Sequence, residues 1–113
     1  MQTDRELLEL AAKAAGIDYL VWTPGTSPIV PAERRIGGQM HWNPIHDDGD
    51  ALRLGVRLKL KIYQAETAAI VHPRMSHGYV GEAYDDNGMD KYAATRRAIV
   101  RAAAEIGAKM QGK

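Results

Sequence analysis

Residues 47 to 62 constrain the fold of this chain most, because they carry two incompatible periods. Leu52, Leu54, Val56, Leu58, Leu60 and Ile62 alternate with Arg53, Gly55, Arg57, Lys59, Lys61 and Tyr63. Taken alone, that period of two describes one long, half-buried strand. Yet Asp47, Asp48 and Asp50 stand just upstream, where carboxylates cap a helix and complement the positive end of its dipole. Ala51, Leu52, Gly55, Val56, Leu58 and Leu60 also form a helical stripe. Periodicity leaves both readings open: a helix followed by a strand from Leu60, or one long strand.

The flanking segments are easier to read. Thr3-Asp4-Arg5-Glu6 has the capping-box pattern, and Leu7, Leu8, Ala11, Ala12 and Ala15 follow at helical spacing before Gly16, which predicts a helix over 4–15. Ile17 to Trp22 is apolar and reads as extended. Pro24, Gly25, Pro28 and Pro31 exclude a helix or a central strand over 23–36. After Gly37-Gly38, residues 39–42 suit a second short strand paired with the first. Further on, 67–72 and 79–84 read as strands, and Asp85-Asp86-Asn87-Gly88 as a turn. Asp90 then caps a closing helix over 90–110, whose stripe runs Ile99, Ala103, Ile106, Met110. On this helix Arg101 is placed to pair with Glu105.

At 113 residues, the chain suits a single domain over 1–113 that buries roughly two thirds of its extended surface. It has no Cys, which removes disulfides and thiolate metal sites from consideration. Fifteen Lys and Arg against 14 Asp and Glu leave a formal charge of +1, so bulk attraction to nucleic acid is not expected. No apolar run is long enough to cross a membrane, and the first residues lack the basic-then-apolar pattern of a signal peptide. A cytoplasmic protein is the expectation.

Two islands carry a likeness to a known group. Trp42-Asn43-Pro44 with Asp47-Asp48-Gly49-Asp50-Ala51-Leu52-Arg53-Leu54 is the first, and Ala93-Ala94-Thr95-Arg96-Arg97-Ala98-Ile99-Val100-Arg101-Ala102-Ala103-Ala104 the second. Together they resemble small proteins of tailed phages and prophages, grouped around NinX-like proteins and the phage ABA-sandwich domain. The resemblance covers roughly 42–106, with 3–16 as a weaker third island, and leaves 63–90 unmatched. It implies that 48–59 is helical. The implied fold is α+β, a small α/β/α-type sandwich with an antiparallel sheet of three to five strands and three helices at about 4–15, 48–59 and 90–110. It implies an accessory phage gene rather than a particular chemistry.

Several residue groups are candidates for chemistry or contact. Asp47, Asp48 and Asp50 offer oxygen ligands of the kind Mg²⁺ or Ca²⁺ prefers, but without EF-hand spacing; capping the helix is the simpler role. His72 and His77 bracket Pro73-Arg74-Met75-Ser76, a grouping able to meet phosphate or move a proton. Neither His lies in a recognised catalytic pattern. Arg96 and Arg97, near the start of the closing helix, suit an anion. Trp42 and Asn43 stand beside the long loop, and Trp is frequent at binding hot spots.

The phage-like resemblance, with no catalytic constellation in a small single domain, implies a non-enzymatic binder of a host protein or a small phosphate-containing signal, acting as an inhibitor, sequestering agent or anti-defence factor without a cofactor. A phosphodiesterase or hydrolase using His72, His77 and Arg74 is the alternative. A nucleic-acid-binding regulator using the last helix is a weaker one, and a homodimer stays open.

Overall fold

The computed structural model describes residues 2–25, 27–31, 40–73 and 78–111. Its elements in chain order are α1 (Asp4–Ala14), α2 (Asp48–Arg57), β1 (Lys61–Gln64), β2 (Ala68–His72), β3 (Val80–Ala83), a 3-10 turn (Asp85–Asn87) and α3 (Lys91–Gln111). Three helices and an antiparallel sheet in the order β1-β2-β3 make an α+β domain, as expected.

The conflict over 47–62 resolves as helix, then strand. Asp47 accepts the Asp50 amide at 2.8 Å and so caps α2. Burying Asp50, Ala51, Leu54 and Gly55 puts the helical stripe inward, which forces half of the alternating apolar set outward. Leu52 and Val56 are therefore 61% and 69% exposed. The helix stops where Lys59 turns to φ 55° and Leu60 N–H reaches back to Gly55 O at 3.0 Å, a six-to-one closure of the last turn. β1 starts two residues later.

In α1 both halves of the capping box form: Glu6 N–H donates to Thr3 Oγ1 at 3.1 Å, and Thr3 N–H to Glu6 Oε1 at 2.8 Å. Asp90 accepts from the amides of Tyr92 and Ala93 at the start of α3. The expected stripe of α3 holds at Ile99 and Ala103, weakens at the half-buried Ile106 and ends at the exposed Met110. Ala94, Ala98, Val100, Ala102 and Ala104 are buried as well. This wider burial follows from position, because α3 packs against the sheet, α1 and α2 together.

The helices gather about α3 instead of enclosing the sheet. α3 lies on β2 and β3, while α1 and α2 make their extensive contacts with α3. The layer order is therefore sheet, α3, α1, in place of helix, sheet, helix. Small residues allow it: Ala11, Ala12 and Ala15 on α1 meet an Ala-rich α3, and backbones approach closely when side chains are short.

Residues 17–22 and 40–42 do not pair with each other, and Gln39 lies outside the described residues. Val21 and His41 each bridge to Ile29, which lies between them. Val21 N–H donates to Ile29 O and Ile29 N–H to Val21 O, at 2.9 and 2.8 Å, and Val30 N–H donates to Met40 O at 2.8 Å. Pro28 and Pro31 bracket this pair of amides and have none of their own. The ladder therefore cannot lengthen past single bridges.

Candidate functional site

The acidic cluster is taken up by structure. Asp47 caps α2, and Asp48 pairs with Arg96 Nη1 at 2.6 Å. Asp50, only 6% exposed, accepts the Asn43 amide at 2.9 Å and Arg53 Nη2 at 2.7 Å. Asp47 and Asp50 thus share Arg53, whose Nη2 lies 3.9 Å from Asp47 Oδ2, while Asp48 turns to Arg96. Among the described residues no group of three or more His or acidic side chains is placed to hold a metal ion.

Arg96 and Arg97 are likewise tied into the fold. Arg96 Nε donates to Ile45 O at 2.8 Å, and Arg97 Nη1 to Asp4 Oδ1 at 3.0 Å. They pin α3 to the segment before α2 and to the start of α1. Arg101 pairs with Glu82 on β3 and donates to Gly81 O, so the expected Arg101–Glu105 pair gives way to a contact between α3 and the sheet. Tertiary geometry offers it a half-buried carboxylate instead of a solvated one.

Trp42 is buried and so has no surface to offer, while its amide donates to Pro28 O at 3.0 Å. Trp22 donates Nε1 to Glu9 at 3.1 Å under the guanidinium of Arg5. Asn43 donates Nδ2 to Ser27 Oγ at 3.4 Å. With Ser27, His41, Asp47, Asp50 and Arg53 it lines an open recess of about 310 Å³. The hydrogen bonds here run between lining residues: His41 Nδ1 with Ser27 O at 3.3 Å, Arg53 with Asp50. A second recess of about 480 Å³ runs between α1 and residues 18–20.

Of the His72–His77 unit, Arg74, Ser76 and His77 lie outside the described residues. His72 is half-buried at the end of β2, its ring centroid 5.8 Å from that of Tyr79. That contact leads to a surface the sequence did not single out.

Register sorts the strand residues onto two faces. Ala69 and Val71 are buried, and their neighbours Gln64, Ile62, Glu82 and Val80 share their face. Gln64 reaches Thr95 on α3 at 2.7 Å, and Glu82 reaches Arg101. The opposite face is crossed by three rows. Lys61, His72 and Tyr79 form the first; Tyr63, Ile70 and Gly81 the second; Ala65, Ala68 and Ala83 the third. Tyr63 and Tyr79 are 60% and 64% exposed. Tyr79 lies over Gly81, where a Cβ would meet Tyr79 Cε2 at 3.7 Å. No helix among the described residues covers these rows.

The class these features define is a small α+β domain whose sheet, among the described residues, carries helices on one face only. Comparison with known proteins finds no family model, curated protein or solved structure that matches the chain. No helix among the described residues is long and apolar enough to cross a membrane.

Proposed function

We propose that this is a non-catalytic binding protein, of the phage accessory kind that the two sequence islands suggest, acting in the cytoplasm of a bacterial host. It would work by occupying a host component through the open face of its sheet. The observation that carries this reading is the exposure of Tyr63 and Tyr79 on a face that no described helix covers. Exposed aromatic groups of this kind mark interaction surfaces.

The two rings lie on a sheet face that no described helix covers, which suits an extended partner better than a small phosphate-containing signal. A hydrolase using His72, Arg74 and His77 has less support, since the ring of His72 packs against Tyr79. Immobilised protein should retain a bacterial component that a Tyr63→Ala, Tyr79→Ala double variant releases. Equal retention by both proteins would rule out this face as the binding surface.

A further inference from the structure

The open face carries more information about its occupant than its exposure alone. Its three rows hold one lysine, three rings, one isoleucine, one glycine and three alanines, and no carboxylate. The acids of the sheet stand elsewhere: Glu82 turns to Arg101 on the other face, and Glu66 lies in the turn beyond the third row. Lys59, exposed, leads into β1 at the same end of the sheet as Lys61, His72 and Tyr79, while the Arg57 guanidinium lies beside Gly16 after α1. The face is thus aromatic and cationic, with a floor low enough for a flat ring to lie down.

From this placement we infer that the open face binds single-stranded nucleic acid, with bases stacking on Tyr63 and Tyr79 and the backbone passing the Lys61 end. This inference rests on the reading of the open face as the binding surface. Aromatic rings on a sheet, beside basic side chains, are what unpaired bases and their phosphates require.

Tyr63 lies on β1 and Tyr79 immediately before β3, on opposite edges and one row apart, which sets their backbones about 12 Å from each other at ordinary strand spacing. Rings so placed stack under two different bases and do not clasp one, so the ligand is a strand and not a mononucleotide. A duplex hides its base faces inside the stack and offers these rings nothing. A second copy of the chain would offer no carboxylate on the same face to pair with Lys61.

The near-zero net charge fits stacking-led binding, in which few phosphates are neutralised. The log of affinity against the log of salt should then fall with a slope of only about −1 to −2.

The test is fluorescence anisotropy with labelled single-stranded DNA and RNA 12-mers, the matching duplexes, and a mononucleotide competitor. Single strands are expected to bind at least tenfold tighter than duplexes. Tyr63→Ala and Tyr79→Ala should each weaken binding about tenfold, while Tyr63→Phe and Tyr79→Phe retain it. Both side chains are exposed, and unchanged thermal melting of the variants would establish that they fold. Equal binding of duplex and single strand, or affinity unchanged in both Ala variants, overturns the inference.

Lysate capture separates the two claims. Capture that needs both tyrosines but survives nuclease identifies a protein occupant, which defeats the nucleic-acid assignment and leaves the binding face standing. Capture indifferent to both tyrosines defeats the face as well.

Discussion

Gly107 on α3 lies directly against the carbonyl of Leu10 on α1, so that a Cβ at position 107 would overlap the Leu10 backbone. The obstacle is main chain, not the end of a flexible side chain, and α1 cannot yield without lifting off the core. Gly107→Ala should therefore destabilise by about 2 kcal/mol or more, even though alanine is the better helix former by about 1 kcal/mol. Urea unfolding of the two proteins measures it, and a variant as stable as the parent would show that the helices do not cross this tightly.

Arg96 joins α3 to the segment that enters α2 through Ile45 O and Asp48. Arg96→Ala leaves a buried carbonyl without its donor and should cost about 2 kcal/mol. Asp48→Asn removes only an exposed partner and should cost less than about 1 kcal/mol. A double-mutant cycle on the pair isolates the coupling.

Asp50 is buried between the Asn43 amide and Arg53. Asp50→Ala strands that amide and is expected to cost about 2–3 kcal/mol. Asp47→Ala, which removes the cap of α2, should cost about 1 kcal/mol. If chemical denaturation reversed that order, the cap and not the buried carboxylate would be what holds the α2 entry.

The carboxyl of Glu6 is held below its ordinary range, first by the Thr3 backbone N–H and then by the Thr3 hydroxyl, against a weaker opposing effect of burial. Because the folded value is the lower one, the contribution is complete above the unfolded value and lost as pH falls through the folded one. Glu6→Gln keeps a hydrogen-bond acceptor but does not ionise. Its stability curve should thus be flatter than the parent's below about pH 4.5, as thermal melts across an acid series would register.

Lys59 closes α2 at φ 55°, in the left-handed region that glycine enters freely. Lys59→Gly should stabilise the protein by about 1 kcal/mol. It should also trim the salt dependence of nucleic-acid binding if Lys59 contributes to the basic end of the sheet. Calorimetry and a salt titration of the same variant read the two effects separately.

Local chemistry announced much of this fold. The capping box at Thr3 and Glu6, the Asp47 cap and the Asp90 cap are hydrogen bonds between near neighbours, and each appears where its pattern stands. The strands over 68–72 and 80–83 were legible for the same reason, being runs of suitable residues between turn formers, whereas 61–64 stood open between a separate strand and the end of one long strand. The alternation over 52–62 misleads because Leu52 and Val56 stay in solvent, and a period counts apolar residues without knowing which of them are covered.

The candidate site was far less legible. Arg96, Arg97 and Trp42 looked available because their partners, Asp48, Asp4 and the core around Pro28, lie far off in sequence or require the chain to fold back. Tyr63 and Tyr79 drew no notice, since each is unremarkable in its own strand and only the register brings them onto one face.

By itself the sequence determined α1, α3, the helix caps and the strands over 68–72 and 80–83, which depend on contacts within a few residues. Tertiary structure alone decided that the helices gather around α3 and that no described helix covers one face of the sheet. Those outcomes turn on how closely backbones can approach, as at Gly107 and Leu10, and on which distant charges find each other.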